Sequence, residues 1–115
     1  MTSAQALQRF AETIDSQDWD GLTALLAPGF AGRYVHDGQI FDRDGLVAFN
    51  RDYPGNWRFQ WEEVLEAGNS AVGRAKVSGN GQTFYVASFI AVDDSGLISE
   101  LTEVWTDAVT APTRD

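Results

Sequence analysis

From Trp57 to Asp107 the chain is written as four runs of about ten residues. They are divided by Gly68-Asn69-Ser70, by Ser78-Gly79-Asn80-Gly81 and by Asp93-Asp94-Ser95-Gly96. Runs of this length with β-branched and aromatic content, broken by Gly, Asn, Asp and Ser, are strands joined by tight turns. The spacing predicts a four-stranded antiparallel meander over residues 57–66, 71–78, 83–92 and 97–106. In the third strand both faces are largely apolar, with Phe84, Val86, Ile90 and Val92 on one and Tyr85, Ala87, Phe89 and Ala91 on the other. Both sides of the sheet therefore want cover. Helices can cover one, and the other calls for a second copy of the chain, so a homodimer through the outer sheet face is expected.

The helices come from the first half. Ala4, Leu7, Phe10, Ala11 and Ile14 recur at helical spacing among polar neighbours. A second helix is predicted to begin after Asp18 as N-cap, to carry Trp19, Leu22, Leu25 and Leu26, and to stop at Pro28-Gly29. Residues 30–38 read as a short strand turning at Asp37-Gly38, with a second extended piece at 39–41. Asp42 then caps a third helix that presents Leu46, Phe49 and Tyr53 to a core and ends at Pro54-Gly55. The plan is α+β: three N-terminal helices on a curved, mainly antiparallel sheet, forming one domain over residues 1–107, with a loose tail at 108–115.

Charge and composition exclude several classes of function. Seventeen acidic residues against 8 basic ones give a net charge of −9. The scattered bases supply no positive footprint for nucleic acid or an anionic membrane. No segment approaches the roughly 20 apolar residues that span a bilayer. The absence of cysteine removes disulfides, thiolate metal sites and Cys nucleophiles, and fits a reducing compartment. With no leader-like segment at Met1-Thr2-Ser3, a cytoplasmic protein is expected. Its Arg, Ala, Gly and Asp usage hints at a bacterial genome. Neither a metal nor an organic cofactor is called for by any motif.

Alternation along 97–107 places Glu103 on the same face as Leu97, Leu101 and Trp105. A carboxylate on an apolar face is either paired or shifted in its pKa. Glu103 is therefore a candidate acid or base, or the structural partner of Arg74 or of a backbone amide. His36, the one histidine, shares a face with Tyr34, and its ordinary pKa near 6.5 suits proton transfer. The bland reading leaves it solvent-facing beside a turn. Arg74 offers a fork of donors to an oxyanion, or a salt bridge on the outer face. Trp57, Phe59 and Trp61 form an aromatic stripe that fits core, interface or pocket wall.

The order of elements carries a resemblance. A helix pair ends in Leu25-Leu26-Ala27-Pro28, a short strand bears His36, a third helix follows, and long hairpins close on Ile98-x-Glu100-x-x-Glu103-x-Trp105. Over residues 4–107 this resembles the nuclear transport factor 2-like superfamily, in its SnoaL-like branch. The resemblance implies a cone-shaped pocket between helices and concave sheet, taking a small apolar molecule without cofactor or metal. It also implies acid/base chemistry by buried carboxylate or His of the isomerase, cyclase or hydrolase kind. Carried onto this chain, the catalytic positions are Glu103 and His36, and the binding positions are Arg74, Tyr34, Tyr53, Trp57, Trp61, Ser88 and Trp105. The epoxide hydrolases of this superfamily use an Arg and an Asp two apart on the second long strand. Here Arg74 is followed by Lys76 where that Asp would stand. Fold alone does not fix activity. The alternatives to an enzyme are a ligand-binding dimer with Glu103 locked to Arg74, or a structural dimer with a filled cone.

Overall fold

The structure, a computed structural model, describes residues 1–107; the tail expected at 108–115 lies outside them. Three helices and one six-stranded sheet make an α+β fold. Helix α1 (Ser3–Asp15) starts at a reciprocal cap in which Gln5 N donates to Thr2 Oγ1 and Thr2 N donates to Gln5 Oε1. It buries Ala6, Leu7, Phe10 and Ala11 against the sheet. Helix α2 (Trp19–Leu25) is capped as expected, Asp18 Oδ1 accepting from Gly21 N at 2.9 Å.

Pro28-Gly29 does not terminate α2. Leu26 is already extended, and strand β1 (Leu26–Tyr34) runs through the Pro-Gly pair. Its pairing skips between Leu26 and Ala31, and the exposed Pro28 and Gly29 fall in that irregularity, where proline's missing N–H leaves no ladder bond unmade. Two helices precede this strand, as the sequence suggested. Helix α3 (Arg43–Asp52) follows the short strand β2 (Ile40–Phe41) and is capped by Asp42. It buries Leu46 and Val47. Tyr53 is its half-exposed C-cap rather than a core residue.

The meander forms as expected, as β3 (Arg58–Ala67), β4 (Ser70–Gly79), β5 (Gln82–Val92) and β6 (Ile98–Asp107), each antiparallel to the next. Between β4 and β5, Asn80 and Gly81 both take positive φ (51° and 73°), the tight two-residue turn that an Asn-Gly pair favours. The sheet order is β2-β1-β6-β5-β4-β3, with β1 parallel to β6 and Tyr34 opposite Glu103.

Two bulges bend the sheet. One sits at Glu62 in β3, between the pairs Trp61 with Ala75 and Glu63 with Arg74. The other sits at Ser99 in β6, between Val92 with Ile98 and Ala91 with Glu100. The second moves the inner face by one residue, so that Ile98, not Leu97, joins Leu101 and Glu103 in the core. On the outer face Leu65, Tyr85, Phe89 and Val104 are exposed. Among the described residues no helix is long and apolar enough to cross a membrane.

Candidate active site

Three strands converge on Glu103. Its register partners are Tyr34 on β1 and Ser88 on β5, and all three side chains lie on the inner face. Glu103 is 2% exposed. Ser88 Oγ donates to Glu103 Oε2 at 2.5 Å, and Trp105 Nε1 donates to Oε1 at 3.2 Å. Burial pushes the carboxyl up to about 7, and the Ser88, Trp105 and Tyr34 donors hold it from going further. The Tyr34 hydroxyl, facing Glu103 and Asn50, is itself raised well above its ordinary value, first by burial and then by the neighbouring carboxylate. Tyr34 is thus a firm proton carrier beside a carboxyl poised near neutrality.

Arg74 is not part of this group. It projects from the outer face of β4, where Nη1 lies 3.0 Å from Glu62 Oε1 and Nε lies 3.7 Å from Glu63 Oε1. The expected Arg74–Glu103 pair does not exist, because alternation sends Gly73, Ala75 and Val77 inward and Arg74 with Lys76 outward. The inner face of β4 carries no charge at all. The Arg-and-carboxylate arrangement of an epoxide hydrolase has no counterpart on this strand. Gly73 owes its place to Trp61: a Cβ there would stand 2.6 Å from Trp61 Cζ3 and 3.0 Å from Leu7 Cδ2.

A cavity of about 440 Å³ opens beside the carboxyl, at the end of the sheet away from the α1 start. Tyr34, His36, Tyr53, Trp57 and Trp105 line it, as the sequence suggested. Glu103, Ser88, Trp61 and Arg74 do not. Glu103 and Ser88 lie behind Tyr34 and Trp105, which reach both the carboxyl and the cavity. Trp61 is packed between the two halves of the core, its buried Nε1 without a partner.

His36 reaches the cavity but is already engaged. Its Nδ1 accepts from Trp105 N at 3.3 Å, so the ring hydrogen belongs on Nε2, which lies 3.6 Å from Asp37 Oδ2. The imidazole also stacks on Tyr34, with ring centroids 5.6 Å apart. With its acceptor nitrogen held by a backbone amide, His36 pins the end of β1 to β6 and orients Tyr34. Sharing of acid and base roles between Glu103 and His36 finds no support in this geometry.

Sequence reasoning missed Trp19, Phe49, Asn50, Arg51, Phe84 and Asp107 as lining residues, and placed Phe59 only in the aromatic stripe. A signal existed for two of them. Phe59 alternates with Trp57, and Phe84 alternates with Val86 on the inner face. No group of His, Asp and Glu among the described residues could hold a metal ion.

A helix pair, an interposed β1–β2 hairpin, a third helix and a bent sheet with a buried acid on its inner face define the class. The chain belongs to the SnoaL-like domain family, whose model matches residues 7–101. Solved structures share the architecture at low identity, which speaks to fold alone. A Kribbella flavida protein whose name proposes a ketosteroid isomerase is 24% identical, with TM-score 0.87 over 97% of this chain and 83% of that one. An NTF-2 like protein of unknown function from Burkholderia xenovorans is 21% identical, with TM-score 0.84 over 96% and 87%. An LEH-like epoxide hydrolase of M. tuberculosis is 14% identical, with TM-score 0.77 over 90% and 82%. No curated protein matches the sequence.

Proposed function

We propose that this protein binds a small, mainly apolar molecule in the cavity and exchanges a proton with it through the Tyr34 hydroxyl, with Glu103 as the proton source and sink. The observation that carries the reading is the position of Tyr34. It lines the cavity on one side and faces a buried carboxyl poised near 7 on the other. As solvent water in the open cavity takes the proton from the carbon beside a ligand carbonyl, Tyr34 donates its proton to the carbonyl oxygen and takes one from the acid form of Glu103, whose carboxylate is left bonded to Ser88 and Trp105. A carboxyl near 7 suits this role because it holds and releases a proton at neutral pH.

The test is deuterium exchange next to the carbonyl of 2-tetralone in D2O, followed by proton NMR. Enolisation by the acid form should be fastest below pH 7 and should fall as pH rises through 7. Glu103→Gln and Tyr34→Phe should each reduce it by about 100-fold or more. A rate equal to that of buffer, or one indifferent to both substitutions, overturns the reading.

A second reading, a protein that binds without turnover, is favoured by one specific feature: Glu103 is shielded from the cavity and already held by Ser88 and Trp105. It predicts ligand-induced thermal stabilisation that survives Glu103→Gln, with no exchange. In either reading the protein is taken to work in the cytoplasm as a homodimer joined through the outer sheet face, where Leu65, Phe89 and Val104 stand exposed.

A further inference from the structure

Aromatic side chains line the cavity in a continuous belt of neighbours. From Trp105 the sequence of neighbours is Tyr34, Phe49, Tyr53, Trp57 and Phe84, with centroid separations of 6.5, 5.6, 5.6, 5.9 and 5.4 Å. Successive rings are turned by 55°, 84°, 47°, 63° and 56°, and no pair of them is stacked. The wall of the cavity is therefore dominated by aromatic rings set at differing tilts, and a ring whose face meets the enclosed space offers π-density there. An aromatic face carries negative potential, so six such rings beside carboxylates suit a cation better than an anion.

The fixed charges around the belt have the same sign. Asp37 and Asp107 line the cavity, and among the described residues Arg51 is the one Lys or Arg that does so. That guanidinium is already held by Asp52, with Nε 3.0 Å from Oδ1 and Nη2 3.4 Å from Oδ2. An incoming anion would have to displace Asp52 to gain a partner. Below the belt, Glu103 adds a carboxyl that a positive neighbour would help to ionise.

We infer that the cavity selects a flat organic cation, an aromatic ring system bearing a positively charged nitrogen, over neutral or anionic molecules of the same shape. This rests on the reading that the cavity takes a ligand, and names the chemical class of that ligand. An aromatic enclosure is the recurrent way to hold an alkylated ammonium group, because such a group is weakly hydrated and gives up little on leaving water.

Three flat probes of similar size separate the possibilities: N-methylquinolinium, 1-methylnaphthalene and 1-naphthoate, titrated into the protein by calorimetry. The cation should bind at least tenfold more tightly than the neutral probe, and the anion should show no saturable binding. Tyr53→Leu, at a half-exposed position that the fold tolerates, should weaken the cation by several-fold and the neutral probe by less. Trp57→Leu should do the same to a greater degree, with circular dichroism confirming the fold. Equal or tighter binding of 1-methylnaphthalene, or saturable binding of 1-naphthoate, overturns the cation preference while leaving the ligand-binding reading in place. Failure of all three to bind overturns both.

Discussion

Ser88 and Glu103 stand opposite one another on β5 and β6, and the serine hydroxyl donates to the glutamate inside the core at 2.5 Å. Neither side chain reaches the cavity. The serine hydroxyl holds one carboxyl oxygen while the Trp105 indole holds the other. The buried acid is therefore oriented from behind and approached by a ligand only through Tyr34 and Trp105.

Stability should fall as pH rises from about 4.5 to 7. Glu103 ionises near 4.5 when unfolded and about 7 when folded, so across that window the folded chain keeps a proton that the unfolded chain has lost. The contribution is complete below 4.5, declines by on the order of 3 kcal/mol, and is flat above 7. In Glu103→Gln this decline should vanish. Urea midpoints at pH 5 and pH 8 read it, with the variant gaining on the native protein at the higher pH. Parallel profiles for the two proteins would refute the assignment.

Arg74→Ala should change stability by no more than about 0.5 kcal/mol, since its ion pairs lie on the surface. The pH profile attributed to Glu103 should be unaltered. A shift of that profile would mean that the two residues communicate despite standing on opposite faces of the sheet.

Gly73→Ala should cost about 1–3 kcal/mol, because the new methyl would press on the ring of Trp61 and on Leu7, both fixed in the core. Chemical unfolding measures the loss. Gly29→Ala serves as the control, since nothing stands within 4 Å of a Cβ there.

Phe89→Arg should abolish the proposed sheet-to-sheet dimer and leave a monomer, as read by sedimentation or light scattering at micromolar concentration. The side chain is 48% exposed near the middle of the outer face, beside Thr102 across the strand pair, and a guanidinium there would have to be desolvated on association. A native protein that is already monomeric at these concentrations would exclude the sheet-mediated dimer.

The meander was legible because strand alternation and turn chemistry agree along its whole length, down to the Asn80-Gly81 turn. Glu103 was legible for the same reason, as a charge among Leu101 and Trp105. What alternation cannot register is an extra residue: the bulge at Ser99 exchanged Leu97 for Ile98 without any glycine or proline to announce it. Pro28-Gly29 misled because the pair ends helices and also fits irregular strand edges, and only the partner strand decides between them. Arg74 was a question of parity. One position either way would have turned it inward, and the inward step of Gly73 and Ala75 settled it. The cavity wall was only half visible, since α3 contributes Phe49, Asn50 and Arg51 by a packing angle that no local pattern encodes.

Among the described residues strand β1 finds its long partner in β6, the last described strand, since β2 offers it just two residues. During synthesis the first third of the protein must therefore wait, its apolar edge unsatisfied, until the final described segment has left the ribosome. Such closure between distant ends slows folding and lengthens exposure to aggregation. It also makes assembly all-or-none. Tyr34 comes from the early strand and Glu103 from the late one, so a nascent or truncated chain cannot hold the pair before the sheet is complete.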